Sequence, residues 1–215
     1  MKKYLENCPI PEEFGSFNYR IKKQTSCPGL YAHVMGRLEP CQESFIFENR
    51  VMGGEIPREF IPACERGFRE AMGFGPLAGY PVTGVKVILT GGSYHEVDSR
   101  ALAFRLAARQ AFYQGFLRAN PVILEPIMFA IVQTPAQFFN QIIRDLLSHR
   151  GLIQSVDWAI NSTVIRAEVP LSQVLGYTER LRSLSNGQAS FVMESLGHKP
   201  VPNFVQKQLI ENAAN

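Results

Sequence analysis

His95, Glu96 and Asp98 stand within four residues of one another, where a polar loop, Ser93-Tyr94-His95-Glu96-Val97, follows a strand pattern and leads to Asp98 and a long helical pattern. An imidazole beside a carboxylate can act as a general base with an orienting acid, and three such groups can begin a metal site. Three ligands from one short loop seldom converge without a contributor from elsewhere, and His33, His149 and His198 stand at no ligand spacing from them. Catalysis is therefore the weaker reading. A turn just ahead of a helix is usually exposed, and its unpaired backbone N–H groups favour a nearby anion such as a phosphate.

Other catalytic patterns fail on context. No G-x-x-x-x-G-K-[ST] run is present to cradle a nucleotide, and Gly73, Gly75 and Gly79 precede a strand instead of following one, against the dinucleotide-binding order. Neither G-x-S-x-G nor a recognisable Cys and His signature marks a nucleophile. Cys8, Cys27, Cys41 and Cys64 form no C-x-x-C pair, which argues for free thiols and against zinc.

The 215 residues, 46% of them hydrophobic, suffice for one large or two ordinary domains with a real core. A net charge of +3 does not by itself announce a nucleic-acid binder, so local placement of basic residues has to decide. The opening MKKYLENCPIPEE has no apolar run after its lysines, and the most apolar stretch, Pro121 to Val132, is interrupted and too short to span a bilayer. A cytoplasmic chain without a membrane segment is expected.

Two sets of elements must position the loop. Residues 1–16 read as a linker or short extended arm. FNYRIKKQ (17–24) and LYAHVMGRL (30–38) alternate as a hairpin joined at Thr25 to Gly29, FIFENRV supplies a third strand, and Phe60 to Met72 has helical spacing. Val85, Val87 and Leu89 mark a strand that Gly91 and Gly92 are expected to end, and Asp98 is expected to cap a helix running to Asn120 that is apolar round most of its circumference. Arg105 and Arg109 fall on its narrower polar strip, read as a solvated face. The result is an α+β layer of about four strands under two helices. From Leu124 the order is βαββαβ: strand 124–134, helix 135–150, strands 152–160 and 163–169, helix 171–184, strand 189–196. That is a ferredoxin-like unit. Its third strand, TVIRAEV, lacks the aromatics with which an RNA-recognition module stacks bases. A short amphipathic helix, Phe204 to Ala213, is expected to dock through Phe204, Val205, Leu209 and Ile210.

GPLAGYPVTGVKVILTGGSYHEVDS, then LAFRLAARQAF and LEPIM, resembles the fourth domain of bacterial elongation factor G passing into its fifth, and AEVPLSQVLGYTERLRSLSNGQASFVMES resembles the second half of that fifth domain. Similarity runs from about Tyr19 to Leu196. The resemblance implies a ribosomal-protein-like domain with a left-handed βαβ crossover over residues 17–120, a ferredoxin-like domain over 121–198, and a terminal helix (203–213) packing back on the first.

It further implies a non-catalytic, monomeric module of a translational GTPase that promotes translocation of tRNA and mRNA. Its partners would be the small-subunit decoding site and the large-subunit factor-binding centre of the ribosome. The implied tip comprises Ser93, Tyr94, His95 and Glu96, the neighbouring Thr25, Ser26, Cys27, Pro28, Gly29 and Leu30, and Lys22 and Lys23. No cofactor is expected in this chain; GTP and magnesium would belong to a GTP-binding domain with no counterpart here, so the chain is expected to be the C-terminal part of a longer protein. The loop Ser26-Cys27-Pro28-Gly29-Leu30-Tyr31 departs from the family's glycine-rich pattern ending in glutamine: Pro28 stiffens it and Leu30 lacks the amide. A paralogous recycling or ribosome-protection factor is therefore the alternative. A small-molecule kinase shares the left-handed fold but needs a glycine- and serine-rich phosphate loop not found here.

Overall fold

A computed structural model describes residues 4–7, 15–23 and 29–214. The chain divides into two units, the larger of Tyr4–Ile123 with Val201–Asn215, the smaller containing Leu124–Pro200.

The larger unit opens with β1 (Leu5–Asn7), inside the segment expected as a linker or arm. Its Glu6 is fully buried, and its carboxylate accepts the backbone N–H groups of Leu77, Ala78 and Tyr80. Burial pushes this carboxyl up, and the N–H donors pull it back. Next come β2 (Ser16–Lys23), β3 (Leu30–Pro40), β4 (Phe45–Asn49), α1 (Ile61–Ala71), β5 (Val85–Ser93) and α2 (Ala101–Arg118). Strands β2 to β5 form one sheet in the order β2-β3-β5-β4, with β4 parallel to β5 and α1 crossing between them. In β2, Phe17, Tyr19 and Ile21 turn to the core while Asn18, Arg20 and Lys22 alternate with them, which is the period of a strand with one covered face.

Gly91 and Gly92 do not end β5; the strand runs on to Ser93. Thr90 is an extra residue opposite β3, where the register shifts between Met35 and Gly36. Beyond this bulge the strands close up, and a Cβ at Gly92 would lie 2.1 Å from the His33 carbonyl oxygen. The glycines thus allow close strand approach rather than a turn.

Helix α2 begins at Ala101, not Asp98. Arg100 is its N-cap, with φ −147° and no side-chain cap. Asp98 is instead engaged with the loop before it. The helix is also less uniformly buried than expected: Ala103, Phe104, Ala107, Ala108, Ala111, Phe112, Gly115 and Phe116 are buried, but Ala101 is exposed and Leu102 is 52% exposed. Gly67 of α1 lets the two helices approach closely, since a Cβ there would stand 2.2 Å from the Arg105 carbonyl oxygen and 3.0 Å from Ala108 Cβ of α2. Phe60 stacks on Phe104 with ring centroids 4.9 Å apart.

The smaller unit is built from β6 (Val122–Thr134), α3 (Phe139–Ser148), β7 (Leu152–Trp158), β8 (Thr163–Pro170), α4 (Leu171–Val174), α5 (Tyr177–Leu184) and β9 (Ser190–Pro200). Its strands lie in the order β9-β6-β8-β7 with every pair antiparallel, the ferredoxin-like arrangement. The helix expected over 171–184 is broken: Leu175 is extended and Gly176 takes φ 77°, a left-handed conformation that only glycine adopts freely. Met128, Ala130 and Val132 of β6 meet Ile165, Ala167 and Val169 of β8 under Ile142 and Leu146 of α3 and Leu181 of α5.

Last in the larger unit is α6 (Asn203–Ala214), which has no buried residue. Phe204, expected to dock, is 60% exposed. The helix is held by Gln206, whose Oε1 accepts the Ile123 N–H at 3.0 Å. Among the described residues no helix is long and apolar enough to cross a membrane.

Candidate functional site

The end of β5, the loop to α2 and the start of β3 are tied into one structure. Tyr31 N–H donates to the Asp98 carbonyl at 3.0 Å. The Ser99 hydroxyl donates to the Tyr31 carbonyl at 2.9 Å and accepts the His95 N–H at 2.8 Å. The Tyr31 hydroxyl lies 2.8 Å from Ser93 Oγ. Gly29 is pressed against the same place, since a Cβ there would meet Asp98 Oδ1 at 2.9 Å. Of the two loops expected at the tip, the described parts, Gly29 to Tyr31 and Ser93 to Ser99, are therefore adjacent. Thr25, Ser26, Cys27 and Pro28 lie outside the described residues.

Between those anchors Tyr94, His95, Glu96 and Val97 project outward, Val97 being 71% exposed. The His95 ring folds back on its own turn: Nδ1 accepts the N–H groups of Val97 and Asp98, each at 3.3 Å. An accepting Nδ1 puts the ring proton on Nε2. Asp98 Oδ2 stands 3.5 Å from the same Nδ1, so in this tautomer it neither bonds nor orients a base. The loop consequently offers an exposed N–H donor and not a catalytic dyad. Glu96 makes no hydrogen bond or ion pair with another described residue. Among the described residues no group of three His, Cys, Asp or Glu side chains converges as metal ligands would.

Lys22 and Lys23 lie on β2, across β3 from the His95 loop. They pair in register with Tyr31 and Leu30, and both are exposed. Their charge thus lies one strand from the residue that anchors the His95 loop.

A supporting group invisible to motif reasoning is His33. It is 7% exposed, with Nε2 2.8 Å from Asn18 Oδ1 and Nδ1 3.2 Å from Ser93 Oγ. Burial, then the charge of Arg20, holds its imidazole below the ordinary range, so the ring is neutral at pH 7. Nε2–H then donates to Asn18, Nδ1 accepts from Ser93, and Ser93 accepts from Tyr31. A single-direction chain of hydrogen bonds crosses β2, β3 and β5 beneath the loop. Its only sequence signal is a polar residue within an apolar strand.

The match to known proteins is continuous along this frame. Residues 10–120 fit the family model described as elongation factor G, domain IV, and residues 122–209 that of the elongation factor G C-terminus. The chain belongs to the elongation factor G family. It is 44% identical over 198 residues to elongation factor G of Rhodopirellula baltica, and 45% identical over 193 residues to that of Thermotoga maritima. These alignments cover 90% and 88% of this chain but 28% of each relative, so the chain spans under a third of their length. A crystal structure from Thermus thermophilus matches all of this chain and 32% of its own, with 37% identity and a TM-score of 0.81. Elongation factor G membership agrees with both sheets described above, the four-stranded sheet of the larger unit and the ferredoxin-like order of the smaller.

Proposed function

We propose that the chain is a ribosome-binding part of a translational GTPase of the elongation factor G type, whose tip, Gly29–Leu30, Ser93 to Glu96 and Lys22–Lys23, meets RNA at the small-subunit decoding site as tRNA and mRNA advance. The observation that carries this reading is the joint at Tyr31: three hydrogen bonds fasten the exposed His95 loop to a buried sheet. A projecting loop on a rigid base can displace a neighbouring molecule, whereas a floppy one would yield. The Nε2–H of His95 and the two lysines supply donors suited to phosphate oxygens. In this reading the chain's role is positional; GTP and magnesium are handled by another part of the protein, and the smaller unit meets the large subunit.

Co-sedimentation of the chain with ribosomes at low and high salt, with and without His95→Ala, tests both levels. Salt-sensitive binding that weakens in the variant is expected. Equal binding by the variant sinks the tip assignment, and no binding by the unaltered chain sinks the ribosomal reading.

A further inference from the structure

Beside the tip, the outer edge of β2 and the flank of α2 enclose an open groove of about 430 Å³. It is lined by Tyr19, Arg20, Lys22, Lys23, Arg109 and Gln110 among others, with no carboxylate. Among the described residues none of its four cations has a carboxylate within 4.0 Å. Elsewhere on the same unit Arg37, Arg50, Arg69, Lys86 and Arg105 are each paired with a carboxylate, while Arg58, Arg66, Arg100 and Arg118, like the groove's cations, have no carboxylate partner among the described residues.

Arg109 is the informative member. It was expected on a solvated strip, yet its Nε is buried without a hydrogen-bond partner. That Nε is enclosed and faces no incoming group, but the guanidinium makes no hydrogen bond to another described residue, which leaves its terminal N–H groups as donors for an oxyanion. The strand edge contributes in the same sense. β2 is the last strand of its sheet, and the Asn18 N–H, pointing away from β3, is taken by Gln114 Oε1 of α2 at 3.1 Å. Backbone groups of alternate residues point the same way, so the N–H groups of Arg20 and Lys22 face this open edge too. Successive outward donors are about 6.8 Å apart along a strand.

We infer that the groove between β2 and α2 is a phosphodiester-binding site that holds a stretch of RNA backbone, with Arg109 as its anchor. The inference rests on the RNA-facing reading of the tip and extends it along the side of the larger unit. The cations are strung along an open trough and not gathered round one point, which suits a polyanion better than a single phosphate. Lys22 and Lys23 belong both to the groove and to the tip, so one strand of RNA can run from one to the other. A peptide adding to the β2 edge is disfavoured because Gln114 already covers the first outward N–H and Arg109 and Gln110 flank the next.

The test is binding of the whole chain to a short fluorescent RNA duplex of mixed sequence, measured by anisotropy over a range of salt. Arg109→Gln and Arg20→Gln are each expected to weaken binding at least about threefold and to lower the slope of log affinity against log salt by about one. Circular dichroism of both variants separates lost binding from lost folding, and Arg20, exposed at the strand surface, gives the readout if Arg109→Gln does not fold. Affinity and slope unchanged in both folded variants overturn the site, as does the absence of RNA binding by the unaltered chain. Displacement of the RNA by a poly-glutamate peptide of equal charge as readily as by unlabelled RNA also overturns it, in favour of an acidic peptide. The tip fails separately: if His95→Ala leaves ribosome binding intact while the groove variants still lose RNA, the groove stands and the tip does not.

Discussion

His33 Nδ1 and Ser93 Oγ, sixty residues apart in sequence, stand 3.2 Å apart beneath the exposed loop. The Ser93 hydroxyl can donate to that nitrogen only while the ring is neutral, and it then accepts from Tyr31. Protonation of His33 turns Nδ1 into a donor and breaks the direction of the chain.

The consequence is a pH dependence with a definite sign. Burial and Arg20 lower the His33 pKa in the folded state, opposed weakly by Glu55, while the unfolded chain keeps the ordinary value near 6.5. A depressed pKa contributes stability that is present above 6.5 and is lost as the pH falls through the folded value. The melting temperature of the chain is expected to drop between neutral pH and pH ~5 more steeply than that of His33→Gln. Parallel profiles for the two proteins would remove His33 as the titrating group.

The glycine at 92 is expected to tolerate no side chain. A methyl group there would sit 2.1 Å from the His33 carbonyl oxygen and 2.8 Å from Ile56 Cδ1, and backbone on a paired strand cannot retreat cheaply. Gly92→Ala should cost about 1–3 kcal/mol by urea unfolding, with loss of order in the His95 loop. Retention of full stability would show that the bulge at Thr90 can shift to make room.

What the sequence made legible was largely what is local. Alternation in 17–23 and 85–89 and the βαββαβ order come from side-chain period, which one chain carries in itself. The break of the 171–184 helix is local, at Gly176, but other readings that failed depended on a distant partner. Gly91–Gly92 has the composition of a turn, but β3 lies against it and makes it a close-packed strand. Asp98 has the chemistry of a cap, but its carbonyl is bound by Tyr31 and its carboxylate faces Gly29 and His95. His95 was visible as a polar residue before a helix; that Tyr31, Ser99 and His33 support it was not, because those contacts span up to 68 residues.

Cys64 is expected to be chemically silent in the folded chain. It is fully buried in the larger core, and burial pushes its thiol up to about 12, leaving almost no thiolate at neutral pH. Cys41 is half-buried, with a thiol raised to a smaller extent, chiefly by desolvation. Iodoacetamide at mildly alkaline pH, followed by peptide mass mapping, should therefore mark Cys41 before Cys64, and mark Cys64 only in denaturant. Native labelling of Cys64 at the rate of Cys41 would mean that α1 opens readily from the sheet.

In the smaller unit the strongest single dependence is expected at Arg150. Its guanidinium grips the Glu125 carboxylate with two parallel hydrogen bonds, 2.8 and 2.7 Å, and Glu125 is only 3% exposed. Arg150 also holds φ 58°, the left-handed backbone in which glycine is at ease, so Arg150→Gly removes the fork without adding backbone strain. The loss leaves a buried carboxylate unpaired and should destabilise this unit by about 3–5 kcal/mol. Glu125→Gln in the Arg150→Gly background takes away the stranded charge and should recover part of that loss. Denaturant unfolding of the three variants measures both effects. A double variant no more stable than Arg150→Gly would indicate that the loss comes from removing the arginine's packing, with the unpaired charge of Glu125 contributing little.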